Sequence, residues 1–192
     1  MMLSADRIAA ALALASPADI LPGDMIEGSS EPARAAAVLV AITDRLRPGL
    51  ILTTRPDTMR NHAGQIAFPG GRLDPGETAR QAALREAWEE IDLDPAHVRL
   101  LGEADTYRTV TNFIVTPVVG MVTPDLPLKA NPAEVVDWFE VPLDFVLDPA
   151  NQHRREAMFR GQLRHYFEIP WQGRRIWGAT AAMLVNLARR LG

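Results

Sequence analysis

The chain has no cysteine among its 192 residues. Disulfides, thiolate metal sites and cysteine nucleophiles are therefore excluded, and any metal must be held by oxygen or imidazole. Long apolar runs are missing as well: no stretch reaches the roughly 18 residues that read as a membrane-spanning helix. The Ala-rich N-terminus is broken by Asp6, Arg7 and Asp19 and has no basic leader, which predicts an amphipathic helix rather than a secretory signal and makes the cytoplasm the default compartment. Positive charge is not in excess either. A net charge of −4 gives no electrostatic case for binding nucleic acid. Internal repeats and low-complexity tracts are also lacking. What remains is 47% hydrophobic and 23% charged, the balance of an ordinary globular chain of about one domain, long enough to bury a core without staples.

Against that background one cluster stands out. Glu86, Glu89 and Glu90 fall on one turn of a helix predicted to start at Thr78, with Gln81 completing a capping box, and to end near Ile91. At about 100° per residue, the three carboxylates share an arc of roughly 100°. Leu84, Ala87, Trp88 and Ile91 form the apolar face on the other side. Packing has no use for the acidic face. Like charges three and four residues apart each cost a few tenths of a kcal/mol, and Glu89 and Glu90 lie in the last turn, where the helix dipole disfavours them. A hard divalent cation with oxygen ligands reverses both penalties; the alternative is a solvated acidic face.

The remaining elements predict a mixed α/β fold. Residues 1–30 read as a helix followed by a loop, and 31–192 as the main domain. Ala35 to Thr43 and Leu50 to Thr54 are apolar enough for strands covered on both faces, joined by a turn at Pro48 and Gly49. Further strands are expected at 98–105, 113–122 and 135–141, a short helix at 143–147, a hairpin around Gly161, and a closing helix over 179–191. The four tryptophans, Trp88, Trp138, Trp171 and Trp177, are expected mostly in the core. His97, His153 and His165 lack metal-ligand spacing.

The acidic helix belongs to a longer pattern. From Gly71 the chain runs five residues to Glu77, seven more to Arg85-Glu86, and on through Ala87, Trp88, Glu89, Glu90, Ile91, Asp92 and Leu93. This resembles the Nudix box: Gly, five residues, Glu, seven residues, Arg-Glu, apolar, any, Glu-Glu, any, Gly, apolar. Asp92 stands in place of the usual Gly, at a helix end that favours the left-handed conformation Asp tolerates. Just upstream, Ile51, Leu52, Thr53, Thr54, Arg55, then Arg60, Gly64, Phe68, Pro69, Gly70 and Gly71 resemble the element that marks coenzyme A pyrophosphatases within the Nudix family. Pro56 departs from its usual Ser or Ala. Val110 to Gly120, Asn131 to Leu143 and Ile176 to Ala181 also look similar to that subfamily.

The resemblance implies the Nudix fold, an α/β/α sandwich with a mixed sheet, in residues 31–192. It implies metal-dependent hydrolysis of a diphosphate, with Mg²⁺ or Mn²⁺ held by Glu86, Glu89, Glu90 and the backbone of Gly71. Arg85 and Glu77 are expected to support the ligands, and the base is Glu86, Glu89 or Glu134. Arg55, Arg60 and His62, with Gly70 and Gly71, are the expected substrate contacts, since guanidinium forks match phosphate oxygens and glycines let backbone approach them. For coenzyme A the implied products are 3′,5′-ADP and 4′-phosphopantetheine. Two alternatives stay open: another nucleoside diphosphate derivative (ADP-ribose, a dinucleotide polyphosphate, an oxidised nucleotide), or a nucleotide-binding module without activity. The partner is a small molecule, with a homodimer through the apolar N-terminal segment as a further expectation.

Overall fold

A computed structural model describes residues 4–24, 32–56, 64–159 and 161–192. Its frame is a mixed eight-stranded sheet in which β1 (Arg34–Thr43) runs parallel to β7 (Phe113–Val122) over its whole length. On its other side, β1 has two antiparallel neighbours. Its C-terminal end meets β2 (Gly49–Thr54), and its N-terminal half meets β4 (Gly70–Arg72). Between them in sequence, β3 (Ile66–Ala67) pairs antiparallel with β2. β5 (Val98–Glu103) and β6 (Tyr107–Arg108) flank β7, and β8 (Asp137–Pro142) flanks β2.

Alternation along β1 divides the core. Ala37, Leu39 and Ala41 face α2 (Ala79–Ile91), whose Ala82, Ala83, Ala87 and Ile91 are fully buried against them. Ala36, Val40 and Ile42 face the second layer: α1 (Ala5–Ala13), α3 (Leu143–Leu147) and α4 (Ala179–Leu191). The result is an α/β/α sandwich with both faces of the central strands covered, as their unbroken apolar sequence requires.

Where a hairpin around Gly161 is predicted, the structure has a three-stranded sheet: β9 (His153–Phe159), β10 (Gln162–Trp171) and β11 (Arg174–Trp177). Gln172 and Gly173, both at positive φ, make the two-residue turn into the added strand. Its Ile169 and Ile176 join the α4 side of the core. Among the described residues no helix is long and apolar enough to cross a membrane.

Candidate functional site

The helix carrying the glutamates is built as its sequence directs. Thr78 Oγ1 accepts from Gln81 N while the Gln81 side chain accepts from Thr78 N, closing the capping box. Asp92 takes the left-handed conformation at φ 57°, and the amides of Asp92 and Leu93 return to Trp88 O and Ala87 O. The apolar face differs from the sequence reading in one respect: the buried stripe is turned toward the carboxylates. Trp88 is 52% exposed, whereas Glu90 is 2% exposed. Alanines at 82, 83 and 87 bring the helix close to Ala37 and Ala41 of β1, and an indole has no room in so close a contact.

Three carboxylates converge. Oxygens of Glu86, Glu90 and Glu134 all lie within 4.8 Å of one another. Glu89 points elsewhere: it is half exposed and accepts from Arg85 Nη1 at 2.9 Å. Glu134 arrives from the loop before β8, and Asn131 places it there. Asn131 takes Glu90 O through its backbone amide at 2.8 Å and Glu89 O through its side chain at 3.2 Å, and Nδ2 also donates to Glu134 Oε1. The loop thereby satisfies carbonyls that the last turn of α2 leaves unpaired. The sequence places Asn131 only at the head of a stretch that resembles the subfamily, three residues before Glu134, and assigns it no role.

Arg85 spends all its donors on the loop and helix of the box. Nε and Nη2 clamp the two oxygens of Glu77 at 2.9 and 3.0 Å, Nη2 also reaches Arg72 O, and Nη1 bridges Glu86 and Glu89. The guanidinium hydrogen-bonded to Glu77 holds that carboxyl below its ordinary value. Burial acts the other way on the cluster. Desolvation raises Glu86 despite Arg85, and pushes Glu90 up to about 8, against the opposing pull of Arg55 and the Gly70 amide.

Arg55 and the two glycines stand at the mouth of this cluster. Arg55 Nη2 lies 3.9 Å from Glu90 Oε1 and donates to Gly70 O at 3.3 Å, while Gly70 N donates to Glu90 Oε2 at 3.2 Å. Arg55 N also binds Gln65 O, closing the base of the connection between β2 and β3. Arg60 and His62, the other two cationic candidates, lie in that connection, outside the described residues.

Gly71 is dictated by space. A Cβ there would fall inside van der Waals contact with the carboxyl carbon and both oxygens of Glu86. Because the obstruction is the end of a flexible side chain, Gly71→Ala is expected to fold normally but turn the Glu86 carboxylate away. The expected result is a melting temperature within a few degrees of wild type and a loss of activity of about 10²-fold, the scale on which a misplacement of about 1 Å acts. Thermal melts run beside turnover assays check both halves.

Comparison with known proteins agrees with this fold. The NUDIX domain family model matches residues 32–161. Proteins named "Uncharacterized Nudix hydrolase NudL" from Photorhabdus laumondii and Cronobacter sakazakii are 41% and 43% identical; the matches cover 84% and 85% of this chain, and 87% and 86% of theirs. Among solved structures, a Nudix hydrolase from M. smegmatis, RenU, matches with a TM-score of 0.53 at 22% identity, over 62% of this chain and 78% of its own; that likeness concerns the fold. With the box residues in place on a sandwich of this topology, the chain belongs to the Nudix hydrolase family.

Proposed function

We propose that the protein is a coenzyme A diphosphatase, cleaving the diphosphate of coenzyme A or its derivatives into 3′,5′-ADP and 4′-phosphopantetheine. The observation that carries the reading is the convergence of Glu86, Glu90 and Glu134 within 4.8 Å, beside the Arg55 guanidinium and the two glycines of β4. Three carboxylates gathered this closely, one of them fully buried beside a cation at 3.9 Å, are short of positive charge. Their all-oxygen donor set fits Mg²⁺ or Mn²⁺.

Glu86 and Glu90 would hold such a cation, together with the backbone of Gly71. Glu89, tied to Arg85 and half exposed, is the carboxylate left to reach a second one. A bound divalent cation supplies charge neutralisation at the diphosphate oxygens and acidifies a coordinated water. Arg55 grips a phosphate oxygen, and its fork keeps the diphosphate against the glycines of β4. Arg85 keeps Glu86 and Glu89 aimed by binding both with one nitrogen while Glu77 fixes the rest of its guanidinium. Glu134 sits on a different element from the box carboxylates, and it is the group assigned to take the proton of the attacking water.

Preference for coenzyme A rests on the segment from Ile51 to Gly71, which resembles the coenzyme A pyrophosphatase element and ends at this site. Purified protein given Mg²⁺ or Mn²⁺ is expected to release 4′-phosphopantetheine from coenzyme A, with a kcat/KM at least about 10-fold above that for ADP-ribose or a dinucleotide polyphosphate. Arg55→Ala is expected to lower kcat/KM for coenzyme A by at least about 10-fold, since a charged hydrogen bond is worth about 1.5–3 kcal/mol. A protein that prefers one of the other nucleotides, or binds them without turnover, contradicts the reading.

A further inference from the structure

β4 shows its two faces to different chemistry. It pairs Ala36 with Arg72, Ala37 with Gly71 and Val38 with Gly70, and residues opposed across an antiparallel pair point to the same side of the sheet. Gly71 therefore faces the α2 side with Ala37, where a Cβ would meet Glu86. Arg72 falls on the other side with Ala36, and both line a cavity of about 370 Å³ that Arg55, Gly70 and Gly71 also line. One short strand thus separates a carboxylate side from a guanidinium side. Arg72 is held only by its backbone: its carbonyl accepts from Arg85 Nη2 at 3.0 Å, and the next amide, Leu73 N, donates to Ala35 O at 3.2 Å. Its side chain is exposed and, among the described residues, engages in no hydrogen bond or ion pair, whereas the Arg85 guanidinium is taken up by Glu77, Glu86 and Glu89.

Resting on the diphosphate hydrolysis proposed above and not on the choice of coenzyme A, we infer that Arg72 is a second substrate-binding arginine, and that Arg55 and Arg72 each hold one phosphate of the diphosphate from the two ends of β4. Arg55 is anchored at the first residue of the strand, where Nη2 donates to Gly70 O at 3.3 Å, and Arg72 is the last. At about 3.3 Å per residue the two ends stand about 7 Å apart, a span suited to two phosphoryl groups joined by one oxygen. Two guanidiniums lining one cavity repel each other, and a diphosphate with negative oxygens at both ends offsets that repulsion while filling both forks. The bridging oxygen then lies along Gly71, the middle residue of the strand and the one whose missing side chain leaves room for Glu86.

Each cleavage product keeps one of the two phosphates, so product inhibition separates the two arginines whichever way round the substrate lies. Arg72→Ala is expected to weaken inhibition by one product, 3′,5′-ADP or 4′-phosphopantetheine, by at least about 10-fold, the scale of a lost charge-assisted hydrogen bond. Arg55→Ala is expected to weaken inhibition by the other. Arg72→Lys, which keeps the charge without the fork, is expected to fall between Arg72→Ala and wild type. Both Arg72 variants are expected to melt within about 2 °C of wild type, as surface substitutions do. If Arg72→Ala changes inhibition by neither product, acts on both alike, acts on the same product as Arg55→Ala, or lowers the melting temperature along with activity, the inference is overturned while wild-type turnover keeps the diphosphatase reading standing. Wild-type protein that leaves coenzyme A intact and cleaves another nucleoside diphosphate derivative overturns the coenzyme A reading alone, and the two phosphate-bearing products of that substrate then decide on Arg72 by the same comparison. Wild-type protein that cleaves no diphosphate overturns both.

Discussion

Glu90→Gln is expected to make the metal-free protein more stable at neutral and alkaline pH and the enzyme nearly inert. Burial raises the Glu90 carboxyl from an ordinary value of 4.5 to about 8. A group raised on folding contributes stability that is full below its unfolded value and is lost as pH climbs through the folded one. Between about pH 5 and 8 this single group removes about 1.4 kcal/mol per pH unit, which is about 3–5 °C of melting temperature per unit for a chain of this size. The metal-free wild type should therefore melt progressively lower across that window, and Mg²⁺ or Mn²⁺ should restore most of the loss at its alkaline end. Glutamine carries no charge, and its carbonyl can still accept from Gly70 N, as Glu90 Oε2 does at 3.2 Å. The variant should show a flatter pH profile and little response to the cation. Turnover should fall by at least about 10²-fold, since even groups that only orient metal ligands are worth 10–100-fold. A variant that melts in parallel with wild type across pH 5–8, or keeps its activity, argues against a cation at Glu90.

Stability lost for the sake of a site is the point at which sequence reading and structure diverge. The capping box, the left-handed Asp92 and the buried strands were legible because each is settled by near neighbours in sequence: Thr78 with Gln81, Asp92 with Trp88, alternate residues of β1 with the two layers. The orientation of α2 was not. A helical wheel that places Trp88 in the core follows the usual preference for burying large rings, but the close alanine contact with β1 displaces the indole and draws Glu90 inward instead. Nor does the box alone reveal Glu134, 44 residues beyond Glu90, since Asn131 brings it in by hydrogen bonds to carbonyls at the end of α2. β3 and β4, of two and three residues, carry no periodicity of their own. Their strand character comes wholly from pairing with β2 and β1.

Arg190→Ala is expected to cause a large loss of stability without touching the chemistry. A cation at this position suits the C-terminal dipole of α4, but the Arg190 side chain is only 5% exposed and its partner Asp105 only 7%. The guanidinium grips both Asp105 oxygens, at 2.7 and 2.6 Å, and spends its other donors on Ala11 O, Leu14 O and Ser16 Oγ. It therefore joins the end of α1, the loop that follows, and the segment between β5 and β6 to the last turn of α4. Removing it strands a buried carboxylate and two carbonyls, and breaking such a pair costs about 3–5 kcal/mol, or about 6–20 °C of melting temperature. Acid should act on the same joint. Arg190 holds Asp105 below its ordinary value of 3.8, so the pair's contribution is complete above that value and is lost as pH falls through the lowered one. The variant should accordingly show less acid destabilisation below pH 4 than wild type, while kcat, measured below its melting temperature, stays near normal because Glu86, Glu90 and Glu134 are gathered by α2 and the Asn131 loop alone. A loss of kcat in folded Arg190→Ala would instead mean that the α1–α4 layer helps set the carboxylate geometry on the far side of the sheet.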